Sequence, residues 1–515
     1  MASEFSGPAK AEGTRFRPDE LTIWVIAGLT AALHLAVAGR YDIFRNELYF
    51  IVCGRHPAFG YADQPPLVPL LAAATQLFGD NAWLLRLPAA LVAALLVPLT
   101  ASLARLYGGS SLSAILAAAA AALAPALVAM TAIVTTSTFE PIAWTACAWL
   151  IARGLQREDK NALLWAGLVA GLALEAKYGI AIWLAALLVG LVLTPERRVL
   201  AWRQTWLGAS LALLIALPSV VWQSLVGWPF FAVILHHASA HSNFTGTPLR
   251  FEIGQILAMN LFLAPLWLIG VVAPFAVERL KPARFLSIAL LLATVLVIVT
   301  GGKDYYLFPV YPVMFAIGAA ACAGMKKWLA GVWLALAAAN AALLAPVVLP
   351  LLDPPALKDY LDRHHLHPPP DEAAGIGAPL TQVDSDEMGW RALEKQVASV
   401  YRALPPDERR RAAILATNYG EAAAIDVYGA GDHLPPALSG QNQYYLWGPR
   451  GYDGSVIIHV NGDPDQWRPF CQSLTVAAHF GAPYAMPYEN NRPIFICRGS
   501  RHTLADIWPR LRRYQ

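Results

Sequence analysis

Carboxylates and cations that could carry out group transfer occur near the ends of apolar segments in this chain. Glu47, Asp63 and Glu140 are the main carboxylates. Ionisable residues at such positions in a membrane protein are functional candidates by default. A carboxylate can accept the proton of an attacking hydroxyl, while cations stabilise a leaving phosphate. The pattern therefore indicates group transfer from a phosphate ester. The basic and hydrogen-bonding residues expected on the same face are Arg45, Lys177, Arg250, Lys303, Tyr305 and Tyr306.

Each of these residues also has a purely structural interpretation. Glu47 fits a solvated loop, and Asp63 fits the N-cap of a following helix. Glu140 would be favourable at the N-terminus of any helix. Lys177 fits an interface anchor, and Lys303 a surface pair of little energetic consequence. Clustering on one face, rather than any single motif, favours the functional interpretation.

Three histidines in one loop raise the question of a metal site. His236, His237 and His241 lie close together in sequence without a nearby acidic partner. Structural zinc sites pair cysteine and histidine ligands at characteristic spacings. We therefore predict no metal site from these residues.

Composition separates a membrane part of the chain from a soluble part. Hydrophobic residues make up 57% of the 515 residues and charged residues only 14%, against about 25% charged residues in a typical soluble domain. The deficit of charge lies before about residue 350. Because about 20 apolar residues are needed to cross a bilayer, we expect about eleven transmembrane helices. The candidate spans are 21–39, 83–106, 111–134, 138–153, 161–176, 178–194, 205–226, 253–277, 284–300, 304–324 and 328–350.

The distribution of Lys and Arg predicts the orientation of these spans. With residues 1–20 as a cytoplasmic tail, the cytoplasmic side holds about twice as many basic residues as the other side, as the positive-inside rule requires. The transmembrane domain, 21–350, then has two long outward loops, 40–82 and 227–252. The apolar stretch Pro66–Phe78 in the first loop is too short to span. We expect it to form an interfacial helix.

Residues 351–515 follow the last span and read as a soluble domain. Short apolar runs alternate there with helical patterns, which favours a small α/β domain. The apolar runs, expected to be strands, are 412–416, 455–460 and 494–497, and the helical patterns are 388–404 and 421–428. An odd number of spans places it outside the cytoplasm. Cys471 and Cys497 both lie in it, so a disulfide is one interpretation and two buried thiols the other. The formal net charge of +3 gives no reason to expect a nucleic-acid partner.

At these residues the sequence resembles the family 39 type of membrane glycosyltransferases, of the GT-C fold group. This family includes the protein O-mannosyltransferases, the lipid A aminoarabinose transferase and the rhizobial galacturonosyltransferases. The resemblance covers roughly residues 20–325. Its motifs are Arg45-Asn46-Glu47-Leu48-Tyr49, Gly60-Tyr61-Ala62-Asp63-Gln64-Pro65-Pro66-Leu67, Arg86-Leu87-Pro88, Thr138-Phe139-Glu140-Pro141, Glu175-Ala176-Lys177-Tyr178-Gly179 and Gly302-Lys303-Asp304-Tyr305-Tyr306-Leu307.

The resemblance implies inverting transfer of a hexosyl or pentosyl group from a polyprenyl-phosphate donor. The acceptor would be an envelope glycan, lipid A or lipopolysaccharide, or a protein, at the outer side of a bacterial inner membrane. The family has an acidic pair after the first span, and here Asn46 replaces its first acid. Glu47 inherits the best claim to the role of base, with Asp63 second.

The same resemblance assigns the remaining site residues. It implies that Glu140 binds sugar or acceptor or orients the base. Lys177 and Lys303 with Tyr306 would contact the donor phosphate, and Arg250 matches more loosely. Some GT-C enzymes use a divalent metal, and the resemblance leaves that open.

Two other functions fit a chain with many spans. A transporter or flippase of lipid-linked sugars would also carry charges in its membrane part. Such proteins tend to have repeated halves and polar residues at the midplane, whereas this chain shows no repeat and its charges lie on one face. A non-catalytic binder of lipid-linked sugars is the second alternative, because of Asn46.

Overall fold

The protein is a bundle of helices followed by a mixed sheet with its own helices. A computed structural model describes residues 18–79, 81–239, 247–367 and 375–514. Most of the polar N-terminal tail, 1–17, therefore lies outside the described residues. The first helices are α1 (Pro18–Val37), α2 (Arg45–Arg55), α3 (Leu67–Gln76), α4 (Ala82–Leu106), α5 (Ser111–Leu123), α6 (Pro125–Ala132), α7 (Glu140–Arg157), α8 (Ala162–Ala176), α9 (Ile180–Val192), α10 (Arg203–Leu225), α11 (Pro229–Ser239), α12 (Pro248–Ala258), α13 (Ala264–Ala276), α14 (Arg284–Val299), α15 (Tyr311–Ala321) and α16 (Lys327–Val348).

Each predicted span coincides with a helix or with a bent pair of helices. Among the described residues, five helices are long and apolar enough to cross a membrane by themselves, and eight if each bent pair counts as one span. Several helices expose apolar side chains, α16 most of all, as a lipid-facing surface requires. The protein is therefore a multi-pass membrane protein, while the number eleven stays a prediction.

Two short apolar segments that could have formed one long helix are separate. Helix α8 ends at Ala176, and Lys177 has an extended backbone (φ −159°, ψ 129°). Helix α9 begins at Ile180 and packs against α14, whereas α8 packs against α10. Lys177 therefore lies at a break between two helices that pack on different neighbours.

Glycines allow the closest helix crossings in the bundle. A Cβ at Gly167 of α8 would lie 2.0 Å from the carbonyl oxygen of Gly208 in α10. A Cβ at Gly318 of α15 would lie 1.9 Å from the carbonyl oxygen of Leu266 in α13. Small residues at such crossings let helix backbones approach, which is how membrane helices gain packing energy without a hydrophobic driving force.

The first outward loop folds into a helical hairpin on top of the bundle. Its helices are α2 and α3, and the latter lies within the predicted interfacial segment. Gly54 lets them meet, since a Cβ there would lie 2.2 Å from the carbonyl oxygen of Pro69. Most of α2 is buried, so the hairpin is an internal layer rather than a solvated loop.

The C-terminal part is built on a five-stranded mixed sheet of β1 (Ala412–Ala416), β2 (Leu438–Ser439), β3 (Val456–Val460), β4 (Cys471–Phe480) and β5 (Arg492–Ser500). The order of the strands in the sheet is β2-β1-β3-β5-β4. Strands β2, β1 and β3 are parallel, and β5 is antiparallel to β3 and β4. The prediction of a C-terminal α/β domain agrees with this topology, although the predicted runs missed β2 and β4. Its α-helices are α17 (Pro354–His364), α18 (Gln382–Ser385), α19 (Trp390–Ala403), α20 (Pro406–Arg409), α21 (Tyr419–Tyr428), α22 (Asn442–Trp447), α23 (Pro464–Trp467) and α24 (Leu504–Leu511).

The C-terminal sheet domain packs directly on the α2–α3 hairpin. One buried apolar cluster contains Leu48 and Phe50 of α2 together with Ala422 and Ile425 of α21. Polar contacts surround it, such as that of the Arg391 Nε with Asp42 Oδ1 at 2.8 Å. The hairpin is therefore the layer between the bundle and the sheet domain.

Candidate active site

A lysine–tyrosine cluster forms from the start of α7, the end of α8 and the segment between α14 and α15. We define it as Lys177, Lys303, Tyr305 and Tyr306 with the carboxylate of Glu140. The local sequence positions Glu140: Thr135 caps the 3-10 helix Thr136–Phe139, and α7 continues directly from it with Glu140 as its first residue. The break between α8 and α9 points Lys177 at the same place.

Lys177 is the centre of this cluster. Its Nζ donates to Glu140 Oε2 at 2.8 Å and to Ser137 Oγ at 2.7 Å. It lies 5.1 Å from the centre of the Tyr306 ring and 5.4 Å from that of Tyr305. An ammonium group has three donors, so two bonds leave one N–H for a ligand.

Lys303 extends the cluster toward the second outward loop. Its Nζ lies 5.9 Å from the centre of the Tyr305 ring, on which Lys177 also lies. Lys177 keeps 21% of its side chain exposed, whereas Glu140 keeps 6%. Two ammonium groups and two phenols around one buried carboxylate can hold a phosphate monoester or diester, because the cations neutralise it and the phenols donate.

Asp63 lies in a second polar cluster, on the hairpin. The Tyr49 hydroxyl donates to Asp63 Oδ1 at 2.8 Å, and the Asn442 Nδ2 donates to Oδ2 at 3.3 Å. The turn that carries Asp63 is held by Gln223 of α10, whose Nε2 donates to the Tyr61 carbonyl at 2.8 Å. Asp63 therefore has a fixed orientation between α2, α10 and the sheet domain.

Burial makes Asp63 an unusual carboxyl. Desolvation by its neighbours raises its pKa to about 6, although the hydrogen bonds from Tyr49 and Asn442 oppose the shift. The residue still keeps part of its surface accessible. A carboxylate with a pKa near the working pH is well suited to accept a proton from a substrate hydroxyl.

Glu47 has a different environment and is fully buried. Its Oε1 accepts from the backbone N–H of Val134 at 2.8 Å, and its Oε2 from the backbone N–H of Phe44 at 2.9 Å. The Arg86 guanidinium donates to both oxygens, and its Nη2 lies 2.7 Å from Oε2. Arg86 also contacts Glu387 of the sheet domain at 3.1 Å. Both oxygens of Glu47 are thus occupied by protein donors.

The structure brings together some of the predicted site residues and separates others. Glu140, Lys177, Lys303 and Tyr306 form one cluster. Asp63 and Glu47 belong to different hydrogen-bond networks: Asp63 accepts from Tyr49, and Glu47 accepts from Val134. In the described residues no hydrogen bond joins the two carboxylates. The three carboxylates therefore belong to three separate sets of contacts in the part of the chain that the structure describes.

The second outward loop is only partly described. Arg250 lies exposed at the start of α12, the helix whose Gln255 Nε2 donates to the Asp304 carbonyl at 3.0 Å. His236 lines a cavity of about 490 Å³ with Arg512 and Tyr514 of the C-terminal segment. His241 and the side chain of His237 lie outside the described residues. In the part of the chain that the structure describes, no group of three or more His, Cys, Asp or Glu could hold a metal ion.

Several contacting residues were not among the predicted site residues. Arg86 had a signal, because an arginine inside an apolar helix needs an anionic partner. Gln443 had none: its Oε1 accepts from the backbone N–H of Ala62, 381 positions away in sequence, at 3.0 Å. Cys471 and Cys497, which the sequence left open, are joined by a disulfide with a Cα–Cα distance of 5.5 Å.

Comparison with known proteins agrees with this architecture. Residues 63–222 match the model of the dolichyl-phosphate-mannose-protein mannosyltransferase family. ArnT from Cupriavidus metallidurans bound to undecaprenyl phosphate superposes with a TM-score of 0.59 at 14% identity, over 93% of this chain and 98% of that one. Its apo state gives 0.57 at 16% identity, over 93% and 99%. No curated protein sequence matches the chain.

A larger enzyme has the same fold in part. The arabinofuranosyltransferase AftD from Mycobacteria superposes with a TM-score of 0.53 at 13% identity, over 93% of this chain and 40% of that one. The predicted resemblance is thereby confirmed. This chain has the GT-C fold of ArnT, with its sheet domain included, and over residues 63–222 it matches the dolichyl-phosphate-mannose-protein mannosyltransferases.

Proposed function

We propose that this protein transfers a hexosyl or pentosyl group from a polyprenyl-phosphate donor to an acceptor at the outer face of a bacterial inner membrane. The observation that carries the proposal is the lysine–tyrosine cluster at the break between α8 and α9. Its cations suit a phosphate next to a lipid chain. The ArnT of the same fold binds undecaprenyl phosphate, which supports a donor of this class.

The cluster would act on the leaving group. Lys177 has one N–H beyond its bonds to Glu140 and Ser137, and both Lys177 and Lys303 lie near the Tyr305 ring, at 5.4 Å and 5.9 Å from its centre. A phosphate between the two lysines would have its developing charge neutralised as the bond from the anomeric carbon to the phosphate oxygen breaks. Glu140 would orient Lys177 through their 2.8 Å ion pair.

Asp63 is the better candidate for the base, ahead of Glu47. The acceptor oxygen would attack the anomeric carbon from the face opposite the phosphate, and its proton would pass to Asp63. Configuration then inverts, and polyprenyl phosphate leaves. Glu47 would keep Arg86 neutralised, since its fully buried carboxylate accepts from that guanidinium at both oxygens, whereas Asp63 is partly accessible.

The site would open away from the cytoplasm. The basic residues of the inner loops favour a cytoplasmic N-terminus. The sheet domain packs on the α2–α3 hairpin, so it shares the side of the first outward loop. We propose that residues 351–515 form an extracytoplasmic domain that covers the site.

Replacement of Lys177 tests the donor site. Lys177→Ala should weaken binding of polyprenyl phosphate by at least tenfold, because a charge-assisted contact to the phosphate is lost. Binding is measured by titration of the detergent-solubilised protein with undecaprenyl phosphate.

The matched control is Lys281→Ala. Lys281 is a partly exposed lysine paired with Glu278 on the predicted cytoplasmic side. Its replacement should leave donor affinity unchanged. Equal affinities of Lys177→Ala and the wild type would overturn the phosphate assignment.

The acceptor can be found by comparing strains. A deletion strain should accumulate a polyprenyl-phosphate sugar and lack one glycan of its envelope, which mass spectrometry of lipid and glycan extracts would identify. Absence of both changes would contradict transfer and favour a non-catalytic binder of lipid-linked sugars. A donor that accumulates on the cytoplasmic face alone would favour a flippase.

A further inference from the structure

The sheet domain reaches into the cluster around Asp63 through two consecutive residues. Asn442 Nδ2 donates to Asp63 Oδ2 at 3.3 Å. The backbone N–H of Gln443 donates to the Tyr49 hydroxyl oxygen at 3.0 Å, and that hydroxyl donates to Asp63 Oδ1 at 2.8 Å. The Gln443 side chain accepts from the N–H of Ala62. Both carboxylate oxygens and the turn beneath them thus depend on the sheet domain.

Two backbone hydrogen bonds with Arg513 hold the main chain around Asn442. The N–H of Asn442 donates to the Arg513 carbonyl at 2.9 Å, and the N–H of Arg513 donates to the Gly440 carbonyl at 2.8 Å. Asn442 has a φ of +48°. Asparagine and glycine are among the few residues that adopt this left-handed conformation readily. The conformation directs the start of α22 toward the hairpin.

The bonding pattern selects one state of Asp63. An amide N–H donates more strongly to an oxygen of the charged carboxylate than to an oxygen of the neutral acid, so Asn442 favours the carboxylate. The titratable groups that face Asp63 from α2 are Tyr49 and Cys53, and burial raises the pKa of both well above the ordinary range, which keeps them neutral. Amide donation is therefore the contribution that the sheet domain makes to the charge state of Asp63.

We propose that Asn442 is a positioning residue that holds Asp63 deprotonated and correctly aimed, so that the site is complete only when the sheet domain is docked. This inference rests on the proposed role of Asp63 as base. It assigns to the sheet domain a direct part in the reaction that the family resemblance does not supply.

Replacement of Asn442 by glycine, which removes the side chain without straining the backbone, tests the proposal. Asn442→Gly keeps the left-handed conformation and removes the donor to Asp63. The acidic limb of the pH–rate profile should move upward by about one pH unit, since the carboxylate loses one hydrogen bond. KM for the lipid donor should stay unchanged, because the phosphate cluster is untouched. An acidic limb at its wild-type position would overturn the proposal.

The control is Asn491→Gly, which changes an exposed asparagine of the same domain with a φ of +54°. Its pH profile should match the wild type. A swapped pair, Asn442→Asp with Asp63→Asn, should restore the hydrogen bond and the thermal stability but not the transfer. Transfer by the swapped pair would also overturn the assignment.

A spectroscopic measurement separates this inference from the proposed function. Infrared difference spectra across pH, with the Asp63→Asn spectrum subtracted, follow the carboxyl band of Asp63 without any turnover. Its titration should shift upward in Asn442→Gly even if the wild type transfers no sugar to the acceptors tried. A titration that stays in place in Asn442→Gly would reject Asn442 as the positioning residue, whatever the enzyme assay shows.

Discussion

At the scale of single residues, the three carboxylates that the sequence offered as one site have three different environments. Glu140 forms an ion pair with a lysine that keeps one free N–H, and Asp63 is held by neutral donors. Glu47 is paired with Arg86 and with two backbone N–H groups. Glu47 is fully buried against a guanidinium, so it is stabilising rather than reactive, whereas Asp63 keeps part of its surface accessible and has no cationic partner among these contacts. The environment, not the residue type, therefore separates the candidate base from the structural acid.

The Glu47→Gln variant should unfold more readily than the wild type. The amide would place N–H donors against Arg86 and the backbone donors, and would leave the buried guanidinium without its full counter-charge. Breaking a buried ion pair costs about 3–5 kcal/mol. We expect a clear decrease in the thermal midpoint of unfolding, measured in detergent.

The matched control is Glu278→Gln, whose carboxylate is 83% exposed. It should change stability by no more than about 0.5 kcal/mol. Loss of transfer by Glu47→Gln at wild-type stability would return the role of base to Glu47.

At the scale of elements, breaks in helices place the site more than the helices themselves do. The junction of α8 and α9 sets Lys177, the 3-10 helix before α7 sets Glu140, and the 3-10 helix Asp304–Val310 sets the two tyrosines. Irregular backbone at membrane depth is tolerated only where it is buried in protein or lines a cavity. These breaks therefore mark the functional end of the bundle.

The disulfide between β4 and β5 can be tested at this scale. Cys471 and Cys497 are 26 positions apart, so the bond closes a short loop at the edge of the sheet. Without reductant, peptide mapping should find the two cysteines in one linked species that separates on reduction. Replacement of both by serine should cost the domain about 2–4 kcal/mol.

Cys322→Ser is the control, because Cys322 is a free thiol outside the sheet domain. It should not change the peptide map of the sheet domain. Alkylation of Cys471 and Cys497 in the native, unreduced protein would contradict the disulfide.

At the scale of the whole molecule, the interface between bundle and sheet domain is rich in buried acids. Arg86 lies between Glu47 and Glu387, so one cation serves two carboxylates. Burial raises the pKa of Glu387 to about 8, despite the ion pair with Arg86, and that of the nearby Asp384 to about 7. The docked state therefore holds protons that the unfolded chain would release at neutral pH.

The stability of the docked protein should therefore fall as the pH rises. The folded-state pKa of Glu387 lies above its ordinary value of 4.5. The stabilising contribution of the protonated Glu387 is then fully present below the ordinary pKa of 4.5, and it is lost as the pH rises through about 8. The thermal midpoint should decrease between pH 5 and pH 8, as scanning calorimetry would show.

Glu387→Gln should reduce this pH dependence, because the amide accepts from Arg86 without a proton to lose. Asp407→Asn, a change at an exposed acid of the same domain, should leave the dependence as it is. A slope of the same size in Glu387→Gln and the wild type would show that other groups determine it.

Sequence determined the features that depend on local pattern. Apolar length gave segments that each coincide with a helix or with a bent pair of helices, and the motifs around Lys177 and Lys303 named side chains that lie together in the structure. The apolar runs and turn residues of the sequence predicted β1, β3 and most of α21. They did not predict β4, because its side chains are largely exposed.

Only the tertiary structure decided which partner each charged side chain has. Glu47 acquires Arg86 from α4, and Asp63 acquires Asn442 from a domain almost 400 positions later in the chain. These contacts depend on how helices and domains stack, and side-chain pairs at such separations leave no local pattern to read. The roles of the carboxylates therefore became distinguishable only once the sheet domain was seen docked on the hairpin.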